Sequence, residues 1–401
     1  MAAGRTQKIL IAVALIAGFI PIAVLGLFMY ASAMAPVLHP DPQTVPSAPG
    51  ASPAQQWNDS AERARQIVRA ALAEQNVPGF SVAVGAGGDI VWAEGFGYAD
   101  IEKKSPMTPR TILRIGTASK VLTSAGVGLL LEQGKLNLDE VIQKRVPEFP
   151  EKKWPVTLRH LMAHTSGMRT DGGDEGPLFG LHCDRPVEAF KEFADADLLF
   201  EPGTEYRYSS FGWVVVSAAV EAAAEEPFLN FMRKKVFEPL KMESTVPDST
   251  TGPLPEQATF YFPGFAGDPR YGPDVMREVN YSCYAGASVF LSTASDMVRF
   301  AQGVKGKLLK PETLATLQTP QKTSSGKDTG YALGWDLESA KLDGQDTQTI
   351  GHDGDQLAGQ VSSLITFPDN DIVISVISNM SYAKTYEVAL KVAEVFAARP
   401  Q

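Results

Sequence analysis

The spacing of apolar residues changes character several times along the 401-residue chain, and each change predicts an element. From Ile9 to Tyr30 no residue is charged. At 1.5 Å per helical residue such a run covers about 33 Å, long enough to cross a bilayer core. Arg5 and Lys8 precede it and no Lys or Arg follows before Arg63, a bias that keeps the start cytoplasmic and sends the remainder across. Residues 1–33 therefore read as an uncleaved anchor, with the body in the periplasm or outside the cell. Ala31-Ser32-Ala33 has the small-x-small form of a cleavage site, so a removed signal and a secreted body form the rival reading. Pro40, Pro42, Pro46, Pro49 and Pro53 then stand among Ala and Ser, which predicts a stiff spacer over 34–57.

A folded domain is expected from 58 to 398. Asp59 with Glu62 can cap a helix whose apolar face is Ile67, Val68, Ala71 and Leu72. In "GFSVAVGAGGDIVWAEGFGYAD", Phe80, Val82 and Val84 alternate with smaller residues before a glycine turn, the signature of a hairpin. Residues 117–300 are mainly helical in pattern, with long Pro- and Gly-containing connections. Strands return after Gly330 in "GYALGWDLE", "QTIGHDG", "QVSSLITF" and "IVISVISN", and a helix from Tyr382 to Ala397 closes the domain. Strands at 78–100 and 330–380 must pair into one sheet. The class is α/β in the broad sense (α+β), with chemistry expected where that sheet meets the helical insert.

Composition removes several functions. Thirty-six Lys and Arg against 46 Asp and Glu leave a net charge of −10 without a basic block, so nucleic acid is excluded as a partner. Cys183 and Cys283 lack any C-x-x-C spacing, which argues against zinc; in an oxidising compartment the two can pair. No cofactor or metal is implied. The oligomeric state is open.

Five stretches carry the chemistry. "RIGTASKVLT" contains Thr117-Ala118-Ser119-Lys120, and "LRHLMAHTSGM", "PGTEYRYSSFGW", "GASVFLSTASDMVRF" and "GHDGDQLAG" follow in order. Together they resemble the β-lactamase-related serine hydrolases, which include class C β-lactamases, penicillin-binding carboxypeptidases and related esterases. The resemblance spans about residues 60 to 398. It implies the β-lactamase/transpeptidase-like fold, an antiparallel sheet flanked by helices with a helical subdomain, and acyl transfer on an ester, amide or peptide.

A hydroxyl and a lysine three residues apart at a helix start share one face, where the amine can take the proton from the attacking oxygen. Thr117 and Lys120 have that spacing. Ser119, adjacent to Lys120, points about 100° away around a helix and is a poor candidate. The methyl of Thr117 restricts χ1 and crowds the attacking face, so the choice is Thr117 as nucleophile or none. Resemblance makes Tyr208 the proton shuttle and Ser210, where relatives have asparagine, a shortened substrate contact. It makes His352 and Gly354 the strand motif, and pairs the backbone N–H of Asp355 with that of Thr117 as an oxyanion hole. His352, unlike the lysine of many relatives, is mostly neutral at pH 7 with an ordinary pKa of about 6.5. That disfavours penicillins. Asp353 and Asp355 are electrostatically unhelpful there unless they face away, bind a cationic group or hold His352 protonated.

Other signals are set aside. "SSGK" and "KDTG" lie in a glycine-rich loop, and His160 with His164 lacks the glutamate of a zinc motif. The expected activity is acyl-transfer hydrolysis of a small molecule or peptide through Thr117. The alternative is a degenerate relative that binds peptide or partner proteins without turnover.

Overall fold

The computed structural model describes residues 19–30, 33–169, 178, 180–248, 254–357 and 359–398. The predicted anchor lies partly outside them. Its described part, residues 19–30, is a helix (α1) exposing Phe19, Leu25 and Met29. No helix among the described residues is long and apolar enough to cross a membrane.

Helix α2 (Asn58–Gln75) opens the domain proper. Trp57 stands at its N-cap position without a side-chain cap, so Asp59 belongs to the first turn and is not the cap expected. The hairpin β2 (Gly79–Ala86) and β3 (Asp89–Asp100) follows as predicted. The chain then places β4 (Ser105–Pro106) against β3 and β5 (Leu113–Arg114) before the turn that carries Thr117. Helices α3 (Ser119–Glu132), α4 (Leu158–Met162), α5 (Ser210–Ala224) and α6 (Phe228–Met232) build the insert. Short strands interrupt what the pattern read as helical: β6 (Val246–Pro247), the hairpin β7 (Tyr261–Pro263) with β8 (Pro273–Val275), and β9 (Phe290–Ser292), which pairs with β5 and β6. After α7 (Ala294–Val304) and α8 (Pro311–Leu317), strands β10 (Asp336–Leu342), β11 (Gln345–Gln356), β12 (Gly359–Phe367) and β13 (Ile372–Ser378) return, and α9 (Thr385–Ala397) closes the domain. α9 starts later than expected because Tyr382 has a left-handed φ of 65°.

The sheet runs β1-β3-β2-β13-β12-β11-β10, antiparallel throughout, with β1 being Ser47–Pro49. Period-two alternation decides its two faces. Phe80, Val82, Val84, Ile374 and Val376 pack with Val68, Leu72, Val388 and Val392 of α2 and α9. On the other face Ala83, Leu364 and Ile377 join Met297, Val298 and the helical insert. A Cβ on Gly85 would come within 2.6 Å of Val298, so glycine there brings α7 onto the sheet.

The spacer expected over 34–57 is instead docked. β1 pairs with β3, Val45 is buried, and buried His39 reaches the Val77 carbonyl at 3.1 Å. The amide N–H of Leu38 donates to Asn76 Oδ1 at 2.8 Å, and Asn76 Nδ2 donates to the Pro36 carbonyl at 2.8 Å. Cys183 and Cys283 form a disulfide with Cα atoms 4.9 Å apart, closing a separation of 100 residues.

Candidate active site

Gly116, with φ of 55°, turns β5 into a 3₁₀ turn over Gly116–Ala118 before α3 begins at Ser119. Thr117 thus precedes the α-helix and does not sit in its first turn. In 3₁₀ geometry residues i and i+3 eclipse, so the turn still sets Thr117 and Lys120 on one side. Ser119 faces elsewhere: its Oγ accepts from the Phe290 amide at 3.3 Å. Lys120 is fully buried, with Nζ 4.7 Å above the Tyr208 ring.

Strand β11 forms the opposite wall. A Cβ on Gly354 would lie 2.0 Å from the Ile115 carbonyl oxygen, and one on Gly116 2.3 Å from that of Asp355. Only two glycines let these backbones meet. A register shift between Gly354 and Asp355 then aims the Asp355 amide at the site, where it donates to Thr117 Oγ1 at 2.8 Å. The Thr117 hydroxyl donates to the Asp353 carbonyl at 3.2 Å. In this resting arrangement the N–H expected to receive an oxyanion is held by the oxygen of Thr117 itself.

Tyr208 is half-buried and Ser210, buried, opens α5. Burial pushes the Tyr208 phenol well above its ordinary value and Thr117 hydrogen bonding opposes this, so the phenol is protonated at neutral pH. His164 stacks on Tyr208 with ring centres 4.1 Å apart, and its Nδ1 accepts from the Ser209 amide at 3.1 Å. Burial, then the nearby Lys120 and His352, lower its pKa well below the histidine range. Its partner in the discarded zinc reading, His160, is a capping-box residue of α4. Among the described residues no group of His, Cys, Asp or Glu is placed to hold a metal ion.

His352 is buried, and the Tyr331 hydroxyl donates to its Nε2 at 3.0 Å while Nδ1 meets the Asp353 carbonyl. Asp336 lies 3.6 Å from Nδ1. Burial lowers the His352 pKa and outweighs Asp336, so the carboxylates do not hold it protonated. Asp353 faces away: its carboxyl accepts from Ser363 Oγ and Gln360 Nε2, each at 2.6 Å, and burial raises its pKa to about 8. Asp355 is exposed. Sequence reasoning missed Tyr331 and Asp336. Both lie in "GYALGWDLE", read as one strand, yet β10 begins only at Asp336, and residues 331–335 form a loop closed by a bridge between Tyr331 and Asp336. Tyr206, centred 6.1 Å from Tyr331, was also passed over.

Known proteins share this architecture. The β-lactamase family profile matches residues 64–398. The mitochondrial serine beta-lactamase-like protein LACTB of Mus musculus is 26% identical over 460 aligned positions, covering 88% of this chain and 83% of its own. Penicillin-binding protein 4* of Bacillus subtilis is 27% identical, with 80% and 73% covered. The octameric penicillin-binding protein homologue from Pyrococcus abyssi superposes with a TM-score of 0.69 at 24% identity, over 82% of this chain and 75% of that one. A match over most of the domain, carried by a fold that brings the T-x-x-K turn against the H-x-G strand, means that this chain belongs to the β-lactamase family.

Proposed function

We propose that the protein is an acyl-transfer hydrolase of esters or amides, with Thr117 as nucleophile, Lys120 as its base and Tyr208 as proton donor to the leaving group. One observation carries this reading: the Thr117 oxygen accepts from the Asp355 amide at 2.8 Å and is hydrogen-bonded to the phenol of Tyr208, over whose ring Lys120 Nζ lies at 4.7 Å. A carbonyl entering there would displace the Asp355 N–H from Thr117, and that N–H would then meet the developing oxyanion. A protonated phenol suits donation to a leaving alcohol or amine. Ser210, His352 and Gly354 border the substrate. Neutral His352 offers no fixed charge to a carboxylate, which favours uncharged esters over penicillins.

The apolar run at 9–30 and the disulfide support a membrane-anchored chain whose domain lies in an oxidising compartment.

The test is turnover of a nitrophenyl ester and labelling by a fluorophosphonate. Thr117→Ala and Lys120→Ala should each lose several orders of magnitude, Thr117→Ser should match or exceed wild type, and Ser119→Ala should change little. Wild-type turnover in Thr117→Ala would sink the assignment. A second reading rests on the same contacts: with its hydroxyl held by Asp353 and Asp355, Thr117 belongs to a site that binds peptide without turnover. An inert wild type whose Thr117→Ser variant gains activity would select that reading.

A further inference from the structure

The distance between the apolar run and the folded domain is much shorter than the prolines suggest. A free spacer over 34–57 would hold the domain tens of ångströms from a bilayer, at about 3.1 Å per residue. Yet Pro36 is already fixed to the domain. Its carbonyl accepts from Asn76 Nδ2 at 2.8 Å, and its ring lies so near Gly272 that a Cβ there would be 2.7 Å from Pro36 Cδ. Leu38 and His39 are pinned to Asn76 and Val77 immediately afterwards. Between Tyr30, where the predicted span ends, and Pro36 stand only residues 31–35, which reach at most about 20 Å when fully extended. Whatever face of the domain carries Pro36 must therefore lie close to the membrane surface.

That face has a suitable composition. The β7–β8 hairpin, whose connection includes Gly272, places Phe265 5.0 Å and Tyr271 6.0 Å from the ring of Phe28, centre to centre. Phe28 belongs to the uncharged run, and α1 exposes apolar side chains along its described length. Rings touching Phe28 share its depth, that of the aromatic belt between headgroups and hydrocarbon. The charges of this stretch offset one another in number: Arg270 pairs with Asp268, and exposed Arg277 is flanked in sequence by exposed Asp274 and Glu278. Contact with lipid would be apolar and aromatic, without dependence on anionic headgroups.

We propose that the connection from Gly264 to Gly272 is a bilayer-contacting element, in which Phe265 and Tyr271 enter the interface of a phospholipid membrane beside the anchor. This rests on the anchor reading above and extends it from attachment to orientation. The hairpin adjoins one end of the main sheet: the Tyr261 amide donates to the Asn379 carbonyl at 2.8 Å just past β13, and Tyr382 lies against both Phe262 and Gly359 at the start of β12. Asp355 is near that same end of β11. The domain thus presents the Thr117–Asp355 end of its sheet to the membrane.

The full chain is reconstituted in phosphatidylcholine vesicles with photoreactive benzoylphenylalanine replacing Phe265, Tyr271 or, as control, Asp369. Asp369 follows the far end of nine-residue β12, roughly 30 Å away along the strand. Lipid adducts at positions 265 and 271 and none at 369 are expected. A chain that stays with vesicles through an alkaline carbonate wash but gives no lipid adduct at 265 or 271 overturns the orientation while leaving the anchor intact. Equal adducts at all three positions also overturn it. Release of the chain from vesicles overturns the anchor reading and this inference with it.

Discussion

The two walls around Thr117 are made of different material. The sheet wall is main chain: Gly116, Gly354 and the amide and carbonyl groups of 353–355, fitted so closely that neither glycine has room for a Cβ. The helical wall is side chain: Tyr208 stacked on His164, with Lys120 above the phenol and Tyr331 beside the imidazole. A backbone wall fixes where charge can be received but tolerates no added atom. An aromatic wall can lose one group and keep its shape.

Gly354→Ala should break the comparison most severely, because the new methyl would lie 2.0 Å from the Ile115 carbonyl oxygen, which is backbone, and 2.1 Å from Ser362 Oγ. The expected result is loss of ester turnover and destabilisation on the order of 3 kcal/mol in urea unfolding. A variant with wild-type midpoint and turnover would show that the wall yields. Tyr208→Phe on the other wall keeps the ring against His164 and Lys120 but removes the proposed proton donor. Turnover should fall by about 10² to 10⁴ with an unchanged melting temperature, and a large fall in melting temperature would mean that the phenol is structural.

Asp353 sharpens the contrast through pH. Its folded-state pKa of about 8 exceeds the ordinary 3.8, so the folded protein keeps a proton that the unfolded chain gives up. The resulting stability is fully present below about pH 4 and is lost as pH rises through about 8. Asp353→Asn removes that slope, and its melting temperature relative to wild type should climb from pH 5 to pH 9. A flat difference would mean that the carboxyl is ionised in the fold. The smallest effect is expected of Tyr331→Phe. The lost hydrogen bond favours neutral His352, so the acid limb of the pH–rate profile should move to higher pH, with turnover at pH 8 within about tenfold of wild type, as suits a bond worth roughly 1 kcal/mol. An unmoved limb would detach His352 from the reaction.

Spacing singled out Thr117 with Lys120, whereas Tyr208 and the H-x-G strand were legible only through the resemblance to a known family. Alternation of Phe80, Val82 and Val84 likewise marked the core face of β2. Tyr331 and Asp336 were hidden because a loop, not a strand, carries Tyr331 to His352, and a six-residue apolar string looks the same in either case. The docked segment before α2 was hidden for another reason. Pro49 suits an edge strand, where a missing N–H costs little, but His39 finds its acceptor 38 residues away at Val77. No local pattern announces such a partner.

The disulfide has a consequence for biosynthesis. The chain's two cysteines permit one intramolecular pairing only. Oxidation in the compartment where the chain folds therefore needs an electron acceptor but no isomerase to undo wrong bridges. The same economy makes the protein sensitive to the loss of either thiol. A chain carrying Cys183→Ser keeps Cys283 with no internal partner, and the outlet left to it is a second chain or a small thiol.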